Sequence, residues 1–111
     1  MSNSPATWVA TRSFIAVEPN GNEQTIVIRI GQPYEISKVE WACPVESDGI
    51  VGRHPDIHGG DALQALCLGI SLTRTLVQEF FEKGGRLLDP QDRSEWSRAD
   101  FASLFGRVGT P

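Results

Sequence analysis

The sequence feature that constrains the fold most is one long amphipathic segment with a helix signal at each end. Asp61 is a residue type that caps helix N-termini, and Gln64, three positions later, completes the pattern of a capping box. Gly84 and Gly85 follow Lys83, and glycine is the residue type that most often ends a helix. About 22 residues lie between these signals, so the sequence predicts a helix about 33 Å long.

The predicted helix has an apolar arc that covers about half of its circumference. The large residues of this arc are Leu63, Leu66, Ile70, Leu72, Leu76, Val77, Phe80 and Phe81. A lane of small residues runs down the middle of the arc: Ala62, Ala65, Gly69 and Thr73. Glycine inside a helix costs about 1 kcal/mol relative to alanine, so Gly69 predicts a close approach to another backbone. We expect the helix to lie tightly on a sheet and to leave one flank free for another contact.

The first thirty residues carry the pattern of an antiparallel hairpin. Residues 7–17 are rich in β-branched and aromatic types, and Ile26, Ile28 and Ile30 alternate so that they share one face of a strand. Between the two strands, residues 18–22 read Glu-Pro-Asn-Gly-Asn. This is a strong turn signal, because proline presets one dihedral angle and Asn-Gly tolerates the positive φ of a tight turn.

Further strands are predicted along the chain. Residues 39–45 have the composition of a third strand, which Pro44 should confine to a sheet edge or to the end of the strand. Residues 50–53 predict a fourth strand that completes a second hairpin, and residues 85–88 predict one more short strand.

A short helix is predicted near the C-terminus. Phe101, Leu104 and Phe105 have helical spacing, with Ser97 as the cap and Gly106 as the stop. The expected fold is therefore α+β: an antiparallel sheet of about four strands, made of two hairpins, with one long helix on a face and a short C-terminal element.

Length and composition favour one globular domain. A chain of 111 residues with 40% hydrophobic residues and a net charge of −4 can bury one core and is too short for two. We expect residues 1–6 to be a disordered tail, residues 7–90 to form the domain and residues 91–111 to dock on it. No apolar run reaches the roughly 18 residues of a membrane span, so no membrane partner is expected.

The acidic residues are concentrated in the first half of the chain. Residues 18–61 hold eight acids and three bases, whereas residues 62–111 hold six of each. The sequence pI is near 5.0, and there is no basic run that would bind a phosphate backbone. Nucleic acid is therefore not an expected partner.

The two cysteines, Cys43 and Cys67, each lie among apolar neighbours, one in a predicted strand and one in the predicted helix. Both are expected to be small buried hydrophobic residues rather than catalytic thiols. The first residues lack the charged and apolar regions of an export signal. We therefore expect a cytoplasmic location, where a disulfide would be unusual.

The most polar stretch is residues 53–61, Arg-His-Pro-Asp-Ile-His-Gly-Gly-Asp. Two imidazoles, two carboxylates and a guanidinium on a segment shaped by proline and glycine could bind a ligand. The other interpretation is a polar surface loop whose Asp61 only caps the helix. Trp41 is most simply a core or half-buried residue, but the edge strand that contains it could contact a second copy of the chain. The candidate binding residues are Arg53, His54, Asp56, His58 and Trp41.

Metal and cofactor sites are not expected in this stretch. The spacing of His54 and His58 suits a metal ion only on a helix, and Pro55 and Gly59 argue against a helix there. The sequence contains neither of the glycine-rich motifs that bind nucleotide phosphates. No nucleophile-elbow pattern appears either, so no catalytic residue is assigned.

Four stretches in order resemble a known family: residues 27–33 (Val-Ile-Arg-Ile-Gly-Gln-Pro), 41–44 (Trp-Ala-Cys-Pro), 60–66 (Gly-Asp-Ala-Leu-Gln-Ala-Leu) and 84–87 (Gly-Gly-Arg-Leu). The family is a group of small uncharacterised bacterial single-domain proteins, known as a domain of unknown function. The resemblance covers residues 8–88 and implies a compact α+β domain that is bacterial and cytoplasmic. It implies no activity, cofactor or catalytic residue.

Two hypotheses of function follow. The first is a non-enzymatic binding or interaction module, whose partner is another protein or a second copy of the chain. A homodimer would use the side of the long helix that the sheet leaves uncovered, or the edge strand that contains Trp41. The alternative is a small enzyme or ligand-binding protein with its site at residues 53–61.

Overall fold

The computed structural model describes residues 7–50 and 52–105, and it consists of strands and two helices. The strands are β1 (Trp8–Val17), β2 (Glu23–Gly31), β3 (Tyr34–Ser37), β4 (Glu40–Cys43), β5 (Val45–Asp48), β6 (Gly52–Arg53), β7 (Ile57–Gly59), β8 (Arg86–Leu88) and β9 (Glu95–Trp96). The helices are α1 (Ala62–Glu82) and α2 (Arg98–Leu104). The predicted α+β class, with one long helix and a short C-terminal helix, is confirmed. The predicted tail at residues 1–6 and the predicted stop at Gly106 lie outside the described residues.

The strands form two antiparallel sheets rather than one. The large sheet has the order β6-β5-β2-β1-β8-β9, and the small sheet has the order β3-β4-β7. The first hairpin is confirmed, since β1 pairs with β2 and Phe14 lies opposite Ile26. A second hairpin is also present, but its first strand is β5 rather than the predicted residues 39–45, and β5 pairs with β6.

Pro44 divides the predicted third strand between the two sheets. β4 ends at Cys43 in the small sheet, and β5 begins at Val45 in the large sheet. Proline has no N–H for a ladder hydrogen bond, so pairing is interrupted there. Its carbonyl instead accepts a hydrogen bond of 2.8 Å from the backbone N–H of Gly31. A Cβ on Gly31 would lie 2.7 Å from the proline ring, so only glycine fits at this crossing.

Two strands of the small sheet, β3 and β7, were not predicted. β3 is exposed along its whole length and has an irregular register between Glu35 and Ser37. β7 lies inside the stretch that was predicted as a loop, where residues 57–59 pair with β4. Neither segment has the apolar alternation that identifies a half-buried strand.

The end signals of the long helix are confirmed. The Oδ1 atom of Asp61 accepts a hydrogen bond of 2.8 Å from the backbone N–H of Gln64. The side chain of Gln64 accepts from the N–H of Gly60 rather than from that of Asp61, which shifts the predicted capping box by one residue. At the other end, Gly84 has a φ of +94°. The N–H groups of Gly84 and Gly85 bond to the carbonyls of Phe81 and Phe80, which is a Schellman motif.

The lane of small residues is the line along which α1 contacts the sheets. The buried residues of the helix are Ala65, Gly69, Thr73, Val77 and Phe81. A Cβ on Gly69 would lie 3.0 Å from Val45 Cγ2 and 3.1 Å from Cys43 Sγ. Gly69 therefore marks a close approach, but to side chains rather than to another backbone as predicted.

The C-terminal helix packs on the core of the large sheet. Ser97 and Asp100 form a reciprocal capping box at its start, as the predicted cap at Ser97 requires. Phe101 is 1% exposed, and its ring lies 6.4 Å from that of Phe14 and 5.9 Å from that of Phe81. Both contacts have the edge-to-face geometry that aromatic pairs favour.

The two cysteines differ in burial. Cys43 is fully buried, and burial raises the pKa of its thiol. The prediction that Cys67 is buried is wrong: Cys67 is exposed, because it lies on the side of α1 opposite the buried line. None of the helices in the described part of the chain is long and apolar enough to cross a membrane.

The close contact at Gly69 gives a test of how the helix is seated. Replacing Gly69 by valine should lower the free energy of unfolding by about 1–3 kcal/mol, because the added atoms have no space against Val45 and Cys43. The matched control is Gln78→Val, at an exposed position in the second half of the same helix, where the change should stay within about 0.5 kcal/mol. Urea unfolding of the three proteins measures the difference. Equal stability of the two variants would contradict the tight seating.

Candidate functional site

The five candidate residues do not converge on one point. Arg53 and Asp56 lie together at the surface, His54 points into the protein, and His58 pairs with a residue of β4. Trp41 packs against the buried cluster of Ile30, Cys43, Val45 and Ala65. The stretch therefore sends its polar groups in different directions, as an extended backbone does.

Arg53 and Asp56 belong to a surface network that also contains two aromatic residues. Arg53 Nη2 donates a hydrogen bond of 3.1 Å to Asp56 Oδ1, and the hydroxyl of Tyr34 donates one of 2.5 Å to Oδ2. The guanidinium of Arg53 lies over the ring of Trp8, 5.3 Å from its centroid. Each carboxylate oxygen of Asp56 thus already accepts a hydrogen bond, and the carboxylate holds the side chains of Arg53 and Tyr34 in place. Trp8 and Tyr34 could not be assigned to this network from the sequence, because the contacts join distant segments.

His54 forms a buried pair with Ser47. The two side chains are joined by a hydrogen bond of 2.7 Å between Ser47 Oγ and His54 Nε2. Because Ser47 is 1% exposed, its hydroxyl cannot reach a substrate in this conformation. A serine beside a histidine can serve as a nucleophile only where a substrate has access to it. This pair ties β5 to the segment that follows β6.

His58 and Trp41 have structural contacts of their own. His58 Nδ1 lies 2.7 Å from Glu40 Oε2 at an exposed position across the β4–β7 pair. Trp41 lies beside Gly59 in the same sheet and is partly buried. In the described residues, no three His, Cys, Asp or Glu side chains are grouped so that they could hold a metal ion.

A feature that the candidate list did not include is the outer side of the first half of α1. Residues 62–73 contain no charged side chain, and the first charge of the helix is Arg74. On this side, Leu63 is 69% exposed and Leu68 is 43% exposed. The run of twelve uncharged residues is visible in the sequence, but only the structure shows which of its leucines face outward.

The turn between β3 and β4 carries another exposed apolar side chain, close to the start of α1. Val39 is 78% exposed, and a Cβ on Gly60 would lie 4.0 Å from the Val39 carbonyl oxygen. The turn therefore lies next to the N-terminus of α1. We call the exposed side chains of Val39, Leu63, Cys67 and Leu68 the free flank.

The chain is similar to a known family over most of its length. The model of a family described as a domain of unknown function (DUF6968) matches residues 10–98. Searches of curated proteins and of solved structures found no significant match.

The network around Asp56 can be tested through the only tyrosine of the chain. The hydrogen bond from Tyr34 to Asp56 is the main factor that raises the pKa of the phenol, and burial of the phenol raises it further. In Asp56→Asn this pKa should fall toward its ordinary value near 10, because the neutral amide no longer opposes phenolate formation. Ultraviolet absorbance against pH follows the ionisation of Tyr34 alone. The control is Asp48→Asn, at an exposed carboxylate of β5, and an equal midpoint in both variants would refute the network.

The buried pair of His54 and Ser47 predicts a pH dependence of stability. Burial lowers the pKa of His54 below its ordinary value of 6.5. As the pH falls below 6.5, His54 is protonated in the unfolded chain before it is protonated in the folded chain. The free energy of unfolding should therefore decrease. Urea unfolding at about pH 7.5 and about pH 5.5 measures the decrease.

Two variants identify the histidine that is responsible. His54→Gln should flatten the dependence over this interval, whereas His58→Gln, at the exposed histidine, should keep it. The prediction fails if His54→Gln retains the full slope.

Proposed function

Because the chain belongs to the DUF6968 family, whose function is unknown, we propose from its structure that it is a non-enzymatic interaction module that pairs with a second copy of itself. The contact surface is the free flank. The observation that carries the proposal is the uncharged first half of α1, with Leu63 and Leu68 exposed on its outer side.

The geometry of the flank suits helix–helix packing. On a helical wheel Cys67 and Ser71 lie at the centre of the outer side, with Leu63 and Leu68 to either side of them. Small residues at the centre let two helices approach closely, and the flanking leucines then pack across the axis between them. A two-fold axis near Cys67 would place the same small centre and the same leucines on both partners, which is the self-complementarity that a symmetric dimer needs.

Charge favours a second copy at this place. Each chain carries a net charge of −4, so two copies repel each other over much of their surface. Residues 62–73 contribute no charge, and contact there brings no carboxylates of the helix face together. Burial of exposed leucine and valine side chains contributes about 25 cal/mol per Å² of apolar surface removed from water.

The alternative, an enzyme or ligand-binding protein at residues 53–61, has less support. Its imidazoles and carboxylates are occupied by separate partners: Ser47, Tyr34 and Glu40. A catalytic site needs its groups within reach of one reacting atom. The divergence of these side chains supports a structural role for the stretch.

Bacterial origin and a cytoplasmic location are part of the same proposal. Two observations support it: the resemblance of the sequence, and the presence of two unpaired cysteines, Cys43 and Cys67. A reducing compartment keeps such thiols free.

The self-association can be measured by sedimentation. At about 100 μM the protein should sediment at about twice the mass of its 12.2 kDa chain. Leu63→Glu combined with Leu68→Glu should give a monomer, because two carboxylates per copy would be buried against those of the partner. The matched control is Leu104→Glu, at a leucine of α2 that is 45% exposed, and it should remain dimeric.

A thiol cross-linker gives an independent measurement. A short bis-maleimide should join two chains through Cys67, since Cys43 is fully buried. Cys67→Ser should abolish the product. A wild-type protein that is monomeric at this concentration and forms no cross-linked dimer would refute the proposal.

A further inference from the structure

A cavity of about 300 Å³ lies beside the second half of α1, away from the free flank. One wall is the helix, from Leu76 to Lys83, and the other is formed by the ends of β1 and β2 and by the turn after β5. The volume is at the lower end of the range of small-molecule sites in proteins. It accommodates a ligand with a body of about five or six carbon atoms.

The apolar residues of the lining are Ala16, Ile50, Leu76 and Phe80, and we call them the floor of the cavity. A Cβ on Gly85 would lie 2.5 Å from the ring of Phe80, so the missing side chain at Gly85 is what allows the ring to lie there.

The opposite wall is fixed by a hydrogen bond. Gln24 Nε2 donates one of 2.6 Å to the carbonyl of Gly49, which joins the start of β2 to the turn after β5. An apolar site that is formed before the ligand arrives saves the cost of ordering it on binding.

The charged groups at the rim favour a cation. Glu18 and Glu79 line the cavity, and within the described residues neither has a basic partner within ion-pair distance. The C-terminal end of α1 adds the negative end of the helix dipole, and its last turn contains no basic residue. Lys83 is the one positive group among the lining residues and offsets part of this potential.

We propose that this cavity binds a small organic ammonium compound whose aliphatic or aromatic body rests on the apolar floor. The ammonium group lies between the carboxylates of Glu18 and Glu79, and the body contacts Leu76 and Phe80. A free ammonium ion would lack the apolar contact, and a neutral or anionic compound of the same shape would lack the charge contact. The site is independent of self-association, because it uses the other half of the helix.

The test is a nuclear magnetic resonance titration of the full chain with three probes of similar shape. These are 3-methylbutylamine, the neutral 3-methylbutanol and the anionic 4-methylpentanoate. The amine should shift the amide signals of Gln24, Gly49, Leu76 and Phe80 in a saturable way. The alcohol should bind about fivefold more weakly, because it lacks the ion pairs, and the carboxylate more weakly still.

Variants then identify the groups that bind the amine. Glu18→Gln combined with Glu79→Gln should weaken binding of the amine about tenfold, whereas Lys83→Met should strengthen it by removing a like charge. The matched control is Glu82→Gln, an exposed carboxylate of the same helix that does not line the cavity. Leu76→Trp should abolish binding by filling the floor.

The wild-type titration is decisive on its own. Equal binding of the amine and the alcohol would overturn the proposal, as would tighter binding of the carboxylate or no saturable shift with the amine. The monomeric variant with Leu63→Glu and Leu68→Glu should bind the amine as the wild type does. Failure of dimerisation and failure of ligand binding are therefore separate results.

Discussion

The contact on which the rest of the structure depends is that of Gly69 with the point where the chain passes between the two sheets. Cys43 ends the small sheet and Val45 begins the large one, and both touch the helix at Gly69. Pro44 between them is fixed against Gly31 by close packing and by a hydrogen bond. In the described residues, the helix thus joins two sheets that share no ladder hydrogen bonds, and a side chain at Gly69 would have to displace Val45 or Cys43. Such a contact stabilises the fold through close packing of small groups rather than through large buried side chains.

The use of small residues at this contact determines where the large ones lie. Since Ala65, Gly69 and Thr73 occupy the line against the sheets, the leucines of the first half of α1 are displaced to its sides. Two of them, Leu63 and Leu68, face outward and form the free flank. In the second half the contact line changes to Val77 and Phe81, and the neighbouring Leu76 and Phe80 become the floor of the cavity. The proposed dimer surface and the proposed ligand site follow from the same seating of the helix.

Sequence reasoning succeeded where the determining chemistry is local. The capping residue Asp61 and the positive φ at Gly84 mark the ends of α1, and the Asn-Gly turn marks the first hairpin. It failed for β3 and β7, because their pairing depends on strands elsewhere in the chain. The close approach of Gly59, where a Cβ would lie 2.6 Å from the backbone nitrogen of Ala65, likewise leaves no mark in the sequence.

The candidate site shows the same limit. Residues 53–61 contain many polar groups within a short span, but a short span gives convergence only on a helix or a tight loop. In β7 the middle residue, His58, points to the side opposite its neighbours, and His54 enters the interior to bond Ser47. Cys67 was expected to be buried because its neighbours in sequence are apolar, yet its angle on the helix turns it outward.

The distribution of charge along α1 connects these observations with function. The half without charges can face an identical acidic chain at little electrostatic cost, and the half that carries Glu79 adjoins a cavity with a second carboxylate, Glu18. If the charges were spread evenly along α1, the outer side of its first half would repel a second copy of the chain. The cavity beside its second half would then have a weaker preference for a cation. The buried residues of the helix are uncharged along its whole length. The charges on α1 are therefore not part of its packing against the sheets. Both proposals therefore rest on the same unequal distribution of charge along the helix.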